Sequence, residues 1–210
     1  MSMYNLLLKD ILIQKFFFLF YIGLIVLYQV NESSFVITVS VVGTMFIINS
    51  HYYDNKGNSQ MLINSLPYSR NEIILSKYIG ASIFAVITTI FTLFLQWFFA
   101  KIQISNELDF GTPQTIWISF IIIMLFTAFF LPFFYRFKNK YLLTIFTLIF
   151  FMALIGWKNI NKSLGIMEDI QKISIELTAN EIYSVLSSIT LVIFISSYFV
   201  TVKIYKKCDL

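Results

Sequence analysis

The sequence has little of what a water-soluble protein needs. Charged residues make up 12% of its 210 positions, about half the share of a typical globular chain. Hydrophobic residues make up 58%, including 24 phenylalanines. A single cysteine, Cys208, excludes an internal disulfide. Because such a chain cannot coat a globule with polar side chains, the composition predicts one membrane domain that covers residues 1–210.

Several kinds of active site are also missing. The sequence has no glycine-rich loop ending in Gly-Lys-Ser/Thr, and no Gly-x-Ser-x-Gly or His-Glu-x-x-His motif. His51 is the only histidine, with Asp54 as its one nearby carboxylate, whereas a zinc site needs three or four ligands. We therefore expect no enzyme activity, no cofactor and no metal on this chain. The net charge of +4 is explained by charges between apolar runs, so no nucleic-acid partner is predicted.

Apolar runs of nearly spanning length predict an all-α membrane protein with six transmembrane helices. A spanning helix needs about 20 mostly apolar residues, within a range of roughly 17–25. The first and fifth runs are the shortest. The predicted spans cover approximately residues 16–31, 33–53, 73–100, 114–135, 141–157 and 182–203.

The basic residues predict the orientation. Six spans put both termini on one side, and cytoplasmic segments carry an excess of lysine and arginine. With the termini inside, eleven basic residues are cytosolic and four, Lys101, Lys158, Lys162 and Lys172, are outside. Trp97, Trp117 and Trp157 then fall at the outer ends of their spans, where an interfacial aromatic belt is expected. Both termini are therefore predicted to be cytoplasmic.

Two segments outside the spans have helical periodicity. Residues 1–15 place Tyr4, Leu8 and Ile11 on one face and Lys9 and Asp10 on others, which predicts an amphipathic helix in contact with membrane lipid. The outer segment 158–181 alternates apolar and acidic residues at helical spacing. A short extracellular helix is predicted there.

The predicted spans have no acidic or basic residue in their interiors. Ion-coupled carriers and proton pumps usually need such groups within the bilayer. Uphill transport by this chain would therefore need energy from outside it, and a partner ATPase would supply that energy. Thr88, Thr92 and Gln96 recur every four residues on the third span; they either form hydrogen bonds within and between helices or line a substrate path.

The segment 54–72 is the longest charged insert on the predicted cytosolic side. A turn begins at Asp54, a short helix is expected over Ser59–Leu66, and Pro67 ends it. Ser69 and Glu72 have the spacing of a capping box, which predicts the start of the third spanning helix. The segment also carries the apolar residues Met61, Leu62 and Leu66. It is either a docking piece for a soluble partner or a connection that lies on the lipid surface.

The residues around this segment resemble a motif of small bacterial ABC transporter permeases of the type-2 exporter class. Tyr53-Asp54 ends the second span, and Ser65-Leu66-Pro67-Tyr68-Ser69-Arg70-Asn71-Glu72-Ile73, followed by Ser76-Lys77-Tyr78, enters the third. The group that the chain looks like includes the permeases of peptide exporters such as the phenol-soluble modulin system.

The resemblance implies a specific division of labour. Residues 59–66 would form the coupling helix that docks on a cytosolic ABC ATPase, which binds ATP and magnesium. The coupling residues would be Asp54, Met61, Leu62, Leu66, Pro67, Arg70 and Glu72. A second permease chain would complete a dimer in the bacterial cell (plasma) membrane. The short first span and the polar stripe of the third span depart from the family pattern.

Two functions are weighed from the sequence. The first is the permease subunit of an ABC exporter for hydrophobic or amphipathic substrates, such as peptides or toxins. The second is the substrate-binding membrane subunit of a vitamin importer, which also has about six spans and no ATP site of its own.

Overall fold

A computed structural model describes residues 4–31, 33–54, 68–102, 111–137, 140–164 and 179–207. These residues form seven α-helices and no strand, which confirms the all-α prediction. The predicted coupling helix, 59–66, and most of the predicted outer segment lie outside the described residues. The helices are α1 (Tyr4–Ile13), α2 (Phe17–Val30), α3 (Phe35–Asp54), α4 (Arg70–Ile102), α5 (Pro113–Arg136), α6 (Lys140–Leu164) and α7 (Ala179–Lys207).

Four of the described helices, α3, α4, α5 and α7, are long and apolar enough to cross a membrane. Helices α1 and α2 meet at a bend of 66° and would count as a fifth span if they cross together. The apolar part of α6, Tyr141–Leu154, is shorter than the roughly 17–25 residues that a spanning helix needs. Helices α2 and α6, which are the least complete as membrane spans, correspond to the two shortest predicted spans. The count of six spans stays a prediction.

Helix α3 is the centre of the bundle. Within its apolar window 67% of the residues are buried, against 22% for α7, so α7 is peripheral. The main core lies between α3, α4 and α5 and includes Phe35, Ile74 and Ile123. A Cβ atom on Gly43 would come within 2.6 Å of the Ile123 side chain. Gly43 therefore permits the close approach of α3 and α5, as small residues do between membrane helices.

Aromatic contacts join α6 to this core. The Phe150 ring lies 4.5 Å from that of Phe126 between centroids, and the Phe146 ring lies 5.2 Å from that of Phe133. The opposite side of α6 is exposed, since Ile149 and Met152 are 63% and 73% accessible. Helix α6 is thus attached to the bundle through one face.

The bend between α1 and α2 is fixed by the side chain of Gln14, which is fully buried. Its amide donates to the Phe46 carbonyl on α3 at 3.3 Å and accepts from the Tyr21 hydroxyl on α2 at 2.7 Å. Asn49 donates to the same hydroxyl at 2.8 Å. Because these bonds satisfy the buried polar groups, α1 turns away from the axis of α2 without leaving them unpaired.

Candidate functional site

Four charged side chains meet at the end of the bundle where α3 ends and α4 begins. We call this group, Lys9, Asp10, Asp54 and Lys77, the charge cluster, and the end that holds it the cluster end. Asp10, Asp54 and Lys77 are each only 6% exposed. The sequence counted Lys77 among the cytosolic basic residues and placed Asp10 on a polar face of the first helix, but it did not predict that the two side chains are buried together.

The ammonium group of Lys77 has a partner for each of its donors. It lies 2.8 Å from both carboxylate oxygens of Asp10, contacts Oδ2 of Asp54, and donates to the Ser50 hydroxyl at 3.1 Å. Lys9 donates to Oδ1 of Asp54 at 2.7 Å and lies 3.3 Å from Asp10. The cluster therefore contains two positive and two negative charges that neutralise one another.

Burial decides how strongly the charge cluster holds these helices together. Several kcal/mol are needed to desolvate each ion, and mutual attraction offsets that cost only when the pairing is complete. Asp54 has a further need for cations, because it lies at the C-terminus of α3, where the helix dipole disfavours a negative charge. Separating the helices would break these ion pairs and leave charged groups without partners. We therefore treat α1, the last turn of α3 and the part of α4 around Lys77 as one unit.

The local sequence explains why α1 carries Asp10 into the protein. Leu6, Asp10 and Gln14 follow one another every four residues and are all buried, whereas Leu8 and Leu12 are 37% and 55% exposed. Helix α1 thus has its polar face toward the protein and part of its apolar face outward. Among the predicted interface residues, Leu8 is exposed, Ile11 is half-buried and Tyr4 begins the helix. Lipid contact of all three stays a prediction.

His51 lies one turn before Asp54 and is 2% exposed. Its Nδ1 lies 2.8 Å from the Ile47 carbonyl; because a carbonyl only accepts, Nδ1–H is the donor. The ring packs edge-on against Phe134 at 4.9 Å and Phe130 at 5.7 Å between centroids. His51 therefore joins α3 to α5, and among the described residues it belongs to no group that could hold a metal ion.

The predicted capping box is confirmed at the start of α4. The Ser69 amide donates to Oε2 of Glu72 at 2.8 Å, and the Glu72 amide donates to the Ser69 hydroxyl oxygen at 3.2 Å. These bonds satisfy amide donors that the first turn of a helix otherwise leaves free. Glu72 thus fixes where α4 begins.

Arg70 joins the start of α4 to the end of α7. Its Nη1 donates to the Tyr205 and Lys206 carbonyls, at 3.1 Å each. These are terminal carbonyls that α7 cannot satisfy internally. The Tyr205 ring also lies 5.0 Å from that of Tyr135 near the end of α5. The cluster end therefore includes α1, the end of α3, the start of α4 and the ends of α5 and α7.

The three residues predicted for a substrate path are all buried on α4. The Thr88 and Thr92 hydroxyls donate to carbonyls four residues earlier, at 2.8 Å each, which is the intrahelical alternative weighed from the sequence. Gln96 accepts from the Gly111 amide at 3.4 Å. The Thr92 carbonyl accepts from Gln29 of α2 at 3.2 Å. These bonds describe packing, and a role in a path stays a prediction.

The remaining coupling residues, Met61, Leu62, Leu66 and Pro67, lie outside the described residues. Asp54 and Arg70, the two ends of the helices that flank them, are both held at the cluster end. The charge cluster itself was missed by sequence reasoning. The available signal was Lys77, which lies near the start of the predicted span 73–100, where an unpaired charge that becomes buried is costly.

The helices and the charge cluster define a multi-pass, all-helical membrane protein whose buried charged side chains gather at one end. Residues 5–206 match the family model described as "ABC-2 family transporter protein". The chain therefore belongs to the ABC-2 family, whose members are membrane permeases that work with an ABC ATPase. No curated protein and no solved structure matches it.

Proposed function

We propose that this chain is the membrane-spanning permease subunit of an ATP-driven exporter, moved by a separate cytosolic ATPase through the segment 54–72. One observation carries the proposal. Asp54, where the segment leaves α3, and Lys77, two turns into α4, are joined to each other and to α1 through the charge cluster. A force on the segment would reach three helices at once.

The charge cluster supports transmission because it resists separation. Asp10, Asp54 and Lys77 are buried, and removing a partner of any of them would leave a charge unpaired in a poorly hydrated site. Closure of an ATPase dimer on ATP would shift residues 59–66, and α1, α3 and α4 would follow as a rigid group. Such rigid-body movement is a common way to switch a protein between two states.

The orientation with six spans and cytoplasmic termini is part of this proposal. The contacts of Arg70 with Tyr205 and Lys206 hold the end of α7 beside the start of α4. Basic residues Arg136, Lys206 and Lys207 also belong to the last turns of helices at the cluster end. That concentration fits a cytoplasmic location of the cluster end.

The substrate and the second permease chain are proposed from the resemblance to peptide exporters. Two copies would form the translocation path for hydrophobic or amphipathic molecules, with Thr88, Thr92 and Gln96 as candidates near it. No observation favours the vitamin-importer alternative, and membership of the ABC-2 family favours the exporter.

Co-purification tests the proposal. The wild-type chain, expressed in its native cells, is expected to retain a soluble ATPase in detergent, and Leu62→Asp with Leu66→Asp should lose it. The matched control is Met167→Asp with Leu177→Asp in the predicted outer segment, which should retain the ATPase. Retention by the Leu62 and Leu66 variant would remove the coupling assignment.

A further inference from the structure

An apolar groove of about 200 Å³ runs between α4 and α7 next to the cluster end. Its α4 side covers positions 75 to 82, a length of about 10 Å along the helix. Its lining includes Leu75, Tyr78 and Ser82 of α4 and Ile195 and Phe199 of α7.

The groove is apolar because its polar groups are turned inward. The Tyr78 hydroxyl bonds with Ser197 at 2.7 Å and with Thr201 at 2.9 Å, both on the buried side of α7. The groove opens on the outside of the bundle, since Ile195 and Phe199 are 54% and 65% exposed. In a membrane, this opening faces the acyl chains of the bilayer.

Positive charge lies beyond one end of this groove. Lys203 is exposed and follows Phe199 by one helical turn, on the same face of α7, and the exposed Lys206 and Lys207 come next. Within the described residues none of these three lysines forms a salt bridge with a carboxylate. Glu72 is the acidic residue closest in sequence to the α4 rim, and its carboxylate already accepts two bonds from Ser69.

We propose that the groove holds an acyl chain of an anionic phospholipid, with the lipid phosphate bound by Lys203. Basic sites between transmembrane helices bind anionic head groups, and lysines at helix ends reach toward the interface while their stems pack on apolar surface. The groove supplies the apolar contact, and Lys203 supplies the charge at the level of the head groups. The leaflet follows from the proposed orientation and would be the cytoplasmic one.

A second copy of the chain fits this groove less well. Two copies in one membrane share an orientation, so a two-fold axis between them runs along the bilayer normal. Contact across the groove would then bring Lys203, Lys206 and Lys207 of both copies to the same end. Like charges in proximity repel each other, whereas a phosphate between α4 and α7 neutralises them.

Lipid retention by the purified full-length chain tests the proposal. Native mass spectrometry would count phosphatidylglycerol and phosphatidylethanolamine molecules bound in mild detergent from an equal mixture. The wild type should prefer phosphatidylglycerol, and Lys203→Gln should weaken its binding about fivefold, the effect of one lysine near an anionic surface. Ile195→Trp, which fills the groove from an exposed position, should lower the binding of both lipids.

Matched controls separate the site from the general lipid annulus. Lys101→Gln, at the opposite end of α4, and Ile90→Trp, at an exposed position of the same helix, should leave both lipids unchanged. Unchanged phosphatidylglycerol binding by Lys203→Gln would overturn the proposal. So would a change of oligomeric state in Ile195→Trp, because a second copy would then be the occupant. Neither result depends on an ATPase, so this test is independent of the exporter proposal.

Discussion

Lys77 places an ammonium group where water does not reach. Its partners Asp10 and Asp54 are 67 and 23 positions away along the chain, yet both are in direct contact with it. This side chain is costly to bury alone, and only complete pairing offsets that cost. Single substitutions in the charge cluster therefore test whether these side chains are buried and paired.

Removing one partner should destabilise the protein strongly. Lys77→Met leaves two carboxylates close together with only Lys9 between them, and we expect the free energy of unfolding to fall by about 3–5 kcal/mol. Chemical denaturation in detergent, followed by tryptophan fluorescence, measures this change. Combining Lys77→Met with Asp10→Leu and Asp54→Leu should restore most of the stability, because apolar groups of similar size replace the whole buried set.

The control for this prediction is Lys101→Met, whose lysine is exposed at the far end of α4. It should change the free energy of unfolding by less than about 1 kcal/mol. A Lys77→Met variant as stable as the wild type would mean that the charge cluster is hydrated and that its burial is misjudged.

Arg70 gives a second prediction for a single side chain. Its guanidinium binds two carbonyls at the end of α7, and Arg70→Ala should free the last turn of that helix. We expect amide exchange over residues 203–207 to accelerate roughly tenfold, the equivalent of one charge-assisted hydrogen bond. Exchange in the middle of α7 should not change. Equal amide exchange over residues 203–207 in Arg70→Ala and in the wild type would show that the Arg70 contact does not hold the end of α7.

At the scale of helices, the start of α4 tests whether a local cap matters for function. Ser69→Ala removes the capping hydroxyl and should cost about 1 kcal/mol. Thr112, the N-cap of α5, accepts from the Thr115 amide at 3.3 Å, so Thr112→Ala is a matched control with a similar cost. We expect only Ser69→Ala to reduce ATP hydrolysis by the permease–ATPase complex, because α4 begins next to the segment 54–72, on which the ATPase is proposed to act.

That comparison is read from two measurements on each variant, thermal unfolding and ATP turnover. If both variants lowered turnover equally, the effect would follow stability alone, and the start of α4 would have no special role in coupling.

The elements that could be predicted from sequence are those whose signals are local. Ser69 and Glu72 form their cap within four residues, and the long apolar runs of α3, α4, α5 and α7 identify them as membrane helices. The orientation of α1 could not be predicted in this way. Its apolar and polar faces are visible in the sequence, but only the partner of Asp10, which is 67 positions away, decides that the polar face turns inward.

The difference between local signals and contacts with other parts of the chain also explains what could be predicted about the site residues. Thr88 and Thr92 have a repeat that fits both a path and intrahelical bonding, and the sequence alone left both open. Their hydroxyls bond to their own helix, an outcome set by rotamers and neighbours. Likewise, the placement of charged residues between long apolar runs predicted a membrane protein, but it could not show that Lys77 pairs with two aspartates.

At the scale of the whole molecule, the described helices meet at one end through buried charged side chains. The charge cluster holds α1, α3 and α4, and Arg70 adds α7. The segment between α3 and α4 is attached on both sides to this end. If an ATPase acts on that segment, the bundle moves through the charge cluster rather than through the apolar contacts further along the helices.

The triple variant Lys77→Met, Asp10→Leu and Asp54→Leu tests this account most directly, because it removes the ionic links while keeping the packing. The measurement is the ATP-hydrolysis rate of the purified complex relative to the rate of its co-purified ATPase alone. We predict a folded variant that still binds the ATPase but no longer changes that rate. A triple variant with the wild-type effect on ATP hydrolysis would contradict the claim that the charge cluster transmits the motion.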